Sequence, residues 1–406
     1  MEKALLAGAR VIDFSWIGAG SYATKILADL GADVIKIESS TRLDSLRMAA
    51  PYKDGKPGVN RSGYFADRNT SKRSVTINMK HPRAFGLIKQ LIMQSDIVAN
   101  NFTPGVMDKF GLGYPAVRAM KPEIIYLAMS MQGAEGPERG YLGYGANIIA
   151  LTALQHLTGL PGREPAGTGT NYPDHVPNPC HAAFAVLAAL RHRRRKGKGQ
   201  YIDLAQVEPT VALLGPTMLD LTVNGRNHEC NGNEHPWAAP HGVYPCAGDD
   251  RWIAITAMSD AHWTALMATL GTPAWSAEPR WETIAGRYRD RVELDLLLGG
   301  VTGKWQAEIL MNELQARHVP AGVVSTAEDV IKHDPQLAHR GHWVRLQHAE
   351  MGEAIYNAPP FRFSRTRVGL KSPAPLLGEH TREVCAELLG LNDQDVDELI
   401  AQEVLK

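Results

Sequence analysis

The chain has 406 residues, 44% apolar and 21% charged, with Lys and Arg balancing Asp and Glu to a formal net charge of zero. That is ample material for two or three globular domains, and the balance excludes bulk attraction to nucleic acid or an anionic membrane, so an anionic ligand needs a local site. The four cysteines (Cys180, Cys230, Cys246, Cys385) show no Cys-x-x-Cys spacing, which fits neither a disulfide framework nor a zinc centre and suits a reducing cytoplasm.

The first ten residues hold no long apolar stretch and predict no signal peptide. No window reaches the roughly 18 consecutive apolar residues of a membrane span, so a soluble cytoplasmic protein is expected. Arg10 to Phe14 reads as a buried strand, Gly18-Ala19-Gly20-Ser21 opens a helix over Tyr22 to Leu30, and Gly31 to Glu38 is a second strand. Strand, glycine turn, helix and strand form a βαβ unit and predict a parallel sheet. The alternation continues with strands at Ser74–Asn78, Asp96–Asn100 and Ile124–Ser130 and a helix at His81–Met93, giving a doubly wound α/β domain. The glycine turn partly matches a dinucleotide fingerprint, with Ala23 in place of its third glycine and Glu38 closing the second strand, but no hydride-transfer constellation follows.

From about Asn224 the chain becomes rich in turns and then resumes with a strand at Trp252–Thr256 and Leu- and Trp-rich helices. The expected organisation is residues 1–223 as the N-terminal part of a large domain, 224–330 as a smaller α/β domain, and 331–406 as a linker and C-terminal part. The tail helices, Glu379 to Leu389 and Asp393 to Val404, are amphipathic and predict packing back onto the first domain.

Tyr172-Pro173-Asp174-His175 precedes an apolar helical run ending in Arg191 to Gln200. The ordinary role for such an aspartate is a helix N-cap, and the basic run, which lacks interleaved aromatics, is read as a solvated helix C-terminus.

Six segments taken in order point further. They are Val11-Ile12-Asp13-Phe14 with Ala19-Gly20, Leu30 to Glu38, Asn69 to Ser74, Asn101-Phe102-Thr103-Pro104-Gly105, Gly197 to Asp203, and Pro375 to Thr381. Together they resemble the class III CoA-transferases, the family of the formyl-CoA and carnitine CoA-transferases, over nearly the whole chain. The resemblance implies that Asp174 is a carboxylate nucleophile passing through a mixed anhydride and an aspartyl-CoA thioester. It implies coenzyme A and its thioesters as substrates, with no permanently bound cofactor and no metal.

For the CoA, the resemblance implies contacts from Ala19, Lys72, Arg73, Asn101, Phe102 and Pro104, and from Lys109 at a position often held by arginine. Gly18 stands where some members carry glutamine, and a polyglycine loop is replaced by Asn233 to Gly242, so the acceptor acid does not carry over from the formate or oxalate branch. Other segments look most like the succinyl-CoA-dependent benzylsuccinate branch, with Trp16, Tyr144 and Trp237 as walls for a ring, Arg47 or Arg61 as a carboxylate clamp, and His241 as a loop candidate. The family's habit also implies an interlocked dimer, either of identical chains or of this chain with a homologous subunit. Two rivals share the fold: an α-methylacyl-CoA racemase or CoA-transferring isomerase, and a non-catalytic partner subunit. Racemases pair the aspartate with a histidine, and Gly143 to Asn147, where theirs stands, contains none.

Overall fold

A computed structural model describes residues 4–406; the first three residues of the N-terminal segment lie outside it. Strand β1 (Arg10–Asp13) leads to α1 (Gly18–Asp29), β2 (Asp33–Glu38), α2 (Gly63–Arg68), β3 (Arg73–Thr76), α3 (Ala84–Met93) and β4 (Ile97–Asn100). Two short helices, α4 (Val106–Lys109) and α5 (Tyr114–Met120), precede β5 (Ile125–Ala128). Helices α6 (Gly145–Leu151), α7 (Tyr172–His175) and α8 (Pro177–Lys196) then lead to β6 (Gln200–Asp203).

These strands form one parallel sheet in the order β3-β2-β1-β4-β5-β6. The order reverses between β1 and β4, and open sheets of this kind bind ligands at that switch point, beyond the strands' C-terminal ends. The central strands β1, β2, β4 and β5 are largely apolar on both faces because both are covered, whereas the edge strand β6 is mostly exposed. Ile12, Ile35, Val75 and Val98 pack on one side with α3, whereas Val11, Val34, Ile97 and Leu127 pack on the other with α1 and α8. Each fully buried Val, Leu or Ile contributes about 1.5–3 kcal/mol by leaving water.

Helix α1 starts at Gly18, four residues before the position that periodicity suggests. Glycine disfavours helix, but here its missing side chain is needed: a Cβ on Gly20 would stand 2.7 Å from Ser15 Cβ and 2.9 Å from Asn101 Cγ. The tail returns as expected. Helices Thr381–Leu389 and Asp393–Ala401 bury Val384, Leu388, Val396 and Leu399 in the same core as Ile12 and Ile35. Arg73 ties them to the sheet through Asp33 at 2.6 Å, Glu383 at 3.0 Å and Glu387 at 2.6 Å.

The chain divides into two compact units. The first comprises Met1–Leu157, Ala166–His228 and Gln336–Lys406; the second comprises Thr158–Pro165 and Glu229–Pro335. The segment after Pro335 contains an antiparallel hairpin of β10 (Trp343–His348) and β11 (Gly352–Asn357). The second unit carries its own antiparallel sheet of β7 (His241–Pro245), β8 (Trp252–Thr256) and β9 (Ala321–Val323), with a core around Trp281, Leu266, Leu294 and Leu310.

Candidate active site

The loop from β1 to α1 is held at nearly every peptide by buried side chains. Asp13 accepts from Ser15 N at 2.8 Å, Thr24 Oγ1 at 2.6 Å and Lys72 Nζ at 3.1 Å. Lys36 donates to Ser15 O at 2.5 Å and pairs with Asp44 at 3.0 Å, while Asp44 accepts from Ile17 N at 3.0 Å. Asn101 closes on Trp16 from both sides: Trp16 N donates to its Oδ1 at 2.8 Å, and its Nδ2 donates to Trp16 O at 2.6 Å. Burial acts to raise the Asp13 pKa, but Lys72, Lys36 and the hydrogen bonds from Thr24 and Ser15 together outweigh it and hold the carboxyl below its usual range.

So constrained, Ile17 adopts φ 58 and ψ −146. A β-branched residue there is strained, at a cost of about 1–3 kcal/mol. Helix α1 begins immediately afterwards with no side chain capping it, so its first amides, the positive end of the helix dipole, remain without an intrahelical partner.

Asp174 packs against this helix start. A Cβ built on Gly18 would lie 2.6 Å from Asp174 Cγ, and one on Gly145, the first residue of α6, would lie 2.8 Å from Asp174 Oδ2. Two glycines therefore flank the carboxyl group. The N-cap role does not apply, because the residue preceding α8 is Val176 and no side chain caps either α7 or α8. Burial pushes the Asp174 pKa up to about 6, against the opposing charge of Arg68.

Arg68 is itself buried, with its guanidinium 4.5 Å from the centre of the Tyr22 ring and 5.5 Å from that of Tyr64. It contacts Asp67 and His175. Burial first, and Arg68 second, depress the His175 pKa to about 4. The imidazole is therefore neutral at physiological pH.

Asp174 lines a cavity of about 100 Å³ with Gly18, Ala19, Pro104, Ser130, Tyr144 and Gln206 among its walls. A larger cavity of about 360 Å³ lies past the C-terminal ends of β1 to β4. Phe14, Ile37, Ile77 and Phe102 give it apolar walls, and Arg42, Lys80 and Lys109 give it cations. Thr103 lines both cavities. Trp16 meets Phe102 edge to face, with ring centroids 5.4 Å apart, and Arg42 lies 5.3 Å from the Trp16 ring centre. Flat apolar surfaces beside cations match a ligand that carries both a heteroaromatic ring and phosphates.

The model of CoA-transferase family III matches residues 6–381. The chain belongs to this family. It is 32% identical to the succinyl-CoA–D-citramalate CoA-transferase of Chloroflexus aurantiacus over 98% of this chain and 97% of that protein. It is also 32% identical to a succinate–glutarate CoA-transferase of Agrobacterium fabrum, over 95% of this chain and 96% of the other. A crystal structure of a CAIB/BAIF family protein from Brucella suis superposes with a TM-score of 0.87 at 31% identity, covering 95% of this chain and all of that one. The chain is thus a family III transferase that uses CoA thioesters as substrates, and no cluster able to hold a metal ion occurs among its described residues. No described helix is long and apolar enough to cross a membrane.

Several residues named from sequence as site candidates line these cavities. Ala19, Pro104, Tyr144 and Asp174 line the smaller cavity, Trp16, Phe102 and Lys109 the larger, and Asn101, which holds the Trp16 peptide, also lines the smaller one. Others are placed differently. Lys72 is fully buried, its ammonium held by Asp13, Ser21 O, Thr24 Oγ1 and Asn69 Oδ1, so it braces the sheet and presents no charge to a cavity. Arg73 is committed to the tail helices. Arg47 cannot act as a carboxylate clamp as it stands, because its fork is already closed on buried Glu38 at 2.9 and 2.8 Å. That same pair removes Glu38 from any ribose contact.

Arg61 binds Lys53 O at 2.9 Å and Asp54 at 3.3 Å within its own loop. Trp237 and His241 belong to the second unit, where Trp237 is exposed and His241 contacts Asn233 O. Sequence reasoning missed Arg42, Lys80 and Arg68. The first two follow β2 and β3 closely, and the doubly wound pattern marks cations at such strand ends as ligand candidates. Arg68 had no such signal.

Proposed function

We propose that this chain moves CoA from succinyl-CoA to a dicarboxylic acid, with Asp174 as the covalent nucleophile. The observation that carries the reading is the Asp174 carboxyl, wedged between Gly18 and Gly145 beside the uncapped start of α1. No histidine lines its cavity among the described residues, and neutral His175 is turned to Arg68. Both facts disfavour the two-base racemase. A dicarboxylic acceptor is supported by the acids named for the relatives, D-citramalate and glutarate, and benzylsuccinate is an aromatic member of that class.

In the proposed sequence, an ionised Asp174 oxygen attacks the thioester carbonyl, and CoA thiolate leaves a mixed anhydride. The thiolate attacks the Asp174 carbonyl, releasing succinate and forming the aspartyl-CoA thioester. The acceptor carboxylate then attacks that thioester to form a second anhydride, and the expelled thiolate takes the acceptor acyl group, regenerating Asp174. Amides at the start of α1 are suited to meet the oxyanions formed at each attack. Arg42, Lys80 and Lys109 would meet CoA phosphates, with Trp16 and Phe102 beside the adenine. An interlocked homodimer, or a pair with a homologous subunit, belongs to the same proposal.

The test is intact-protein mass after succinyl-CoA and then hydroxylamine, for wild type and Asp174→Ala. Hydroxylamine converts an aspartyl thioester to a hydroxamate, a gain of about 15 Da. Gain at Asp174 in wild type alone supports covalent transfer, whereas wild type unlabelled after turnover of succinyl-CoA defeats it.

A further inference from the structure

A third cavity, of about 240 Å³, opens beyond Asn100 and Ala128, the last residues of β4 and β5. Thr103, Pro104 and Ser130 line both it and the Asp174 cavity, and Thr103 lines the larger cavity as well, so the three spaces meet at one residue. With CoA in the larger cavity and its thioester at Asp174, this branch is left for the acid. We propose that it holds an uncharged aromatic ring carried by the acceptor acid, while the reacting carboxylate sits at the junction beside Ser130. This rests on the reading of Asp174 as nucleophile and narrows the acceptor of that reaction to an aryl-substituted acid.

The walls suit a ring and not a charge. The rings of Tyr114, Tyr126 and Tyr201 stand together, with centroids 5.1 Å apart for Tyr114 and Tyr201, 5.8 Å for Tyr114 and Tyr126, and 5.9 Å for Tyr126 and Tyr201. Phe102, Met107 and Pro115 add apolar surface. Aromatic pairs attract at such separations, so a further ring finds edges and faces to meet. No lysine, arginine or histidine lines this cavity among the described residues, and its one charged wall is Asp108. Burial first, then nearby groups that include Asp108, push the Tyr126 and Tyr201 phenols up, Tyr201 to about 12, so both rings stay neutral beside that carboxylate. A second carboxylate placed here would be repelled. Size agrees: roughly 150 Å³ suffices for benzene in an apolar protein cavity. The third cavity exceeds that volume, whereas the Asp174 cavity, at about 100 Å³, falls short of it.

Ser130 supplies the link to the nucleophile. It is 5% exposed, and Gln206 fixes its position, the Gln206 N–H donating to Ser130 O at 3.0 Å and Nε2 donating to Met129 O at 2.7 Å. The Ser130 hydroxyl is nevertheless buried without a protein partner. A hydroxyl in that condition is destabilising, and a carboxylate oxygen at the junction of the two cavities would accept a hydrogen bond from it.

The test sets benzylsuccinate against methylsuccinate, which share both carboxylates and differ in a benzyl or a methyl group. Acceptor kinetics and titration calorimetry are run on full-length wild type, Tyr201→Ala, Tyr201→Phe, Ala134→Leu and Ser130→Ala, beside hydroxylamine trapping in wild type. Wild type should favour benzylsuccinate in both readouts. Tyr201→Ala removes one wall, and Ala134→Leu narrows the cavity from the loop after β5. Each should lower the benzylsuccinate-to-methylsuccinate ratio of kcat/KM roughly 3- to 10-fold, as for loss of an aromatic pair, while Tyr201→Phe keeps it. Ser130→Ala should raise KM for both acids alike, roughly tenfold, since each presents the same carboxylate; an unchanged KM there overturns the Ser130 contact. No preference for the ring in wild type, or a preference unchanged in either folded variant of the wall, overturns the site. If ring-dependent binding responds to Tyr201→Ala but trapping fails in wild type, the covalent route falls and the site stands. Trapping without any ring preference gives the converse.

Discussion

Asn101 grips the Trp16 peptide from both ends, accepting from its N–H at 2.8 Å and donating to its carbonyl at 2.6 Å. The contact joins the chain leaving β4 to the chain leaving β1, across the point where strand order reverses. Only an amide side chain supplies an acceptor and a donor in this fork. Asn101→Asp would keep the first bond and set a carboxylate against Trp16 O. The expected outcome is a loss of about 1–3 kcal/mol of stability, together with a higher KM for acyl-CoA because Trp16 loses its place. Thermal unfolding and steady-state kinetics on the same preparation check both.

The raised pKa of Asp174 makes two pH predictions of opposite sense. Attack requires the ionised carboxylate, so kcat/KM should fall about tenfold per pH unit below about 6. For stability, the folded pKa lies above the unfolded value, so the group contributes most when protonated, below the unfolded pKa. That contribution disappears as pH rises through about 6. Asp174→Asn should therefore be inactive yet more stable than wild type at pH 8, by up to about 3 kcal/mol, with little difference at pH 4. Denaturant melts at the two pH values decide it; equal stabilisation at both would show that ionisation is not the cause.

Gly18→Ala should separate folding from chemistry. Alanine favours helix by about 1 kcal/mol over glycine, and Gly18 does not occupy the left-handed region of backbone space. The added methyl would nevertheless lie 2.6 Å from Asp174 Cγ. We expect a folded protein whose hydroxamate yield falls by roughly two orders of magnitude through misplacement of the nucleophile. Trapping efficiency beside an unchanged circular dichroism spectrum would establish this.

Lys72 and Lys109, both assigned to CoA from the sequence, should part company. Lys72→Met leaves Asp13 buried without its closest cation and should cost about 3–5 kcal/mol, with KM for acyl-CoA nearly unchanged per folded molecule. Lys109→Ala, and likewise Arg42→Ala, should raise that KM about 5- to 20-fold with little change in melting temperature, as for loss of a phosphate contact. A KM effect at Lys72 without a stability loss would reverse the assignment.

The sheet was legible because its strands are short apolar runs separated by helical periodicity, and the tail helices were legible from their amphipathic faces. Asp174 stood out in the sequence through its motif context, and the structure sets its carboxyl between Gly18 and Gly145. The arginines and Lys72 were not legible, because sequence position does not reveal which carboxylate a cation meets. Arg47 and Glu38 are nine residues apart and closed on each other, whereas Arg68 and His175 meet from positions 107 apart. The start of α1 was also misread: glycine is a helix breaker by propensity, and only the crowding at Asp174 and Asn101 explains its presence in a first turn.

The tail helices have a consequence for biosynthesis. Val384, Leu388, Val396 and Leu399 seal one face of a sheet whose first strand, Arg10–Asp13, is synthesised long before them. A ribosome adding 5–20 residues per second leaves that apolar face open while the whole second unit emerges. Glu229–Pro335, continuous but for Thr158–Pro165 made earlier, can assemble its own core first. The part of the chain that begins first is thus the part that finishes last, and in that interval its uncovered sheet is the surface most in need of a chaperone.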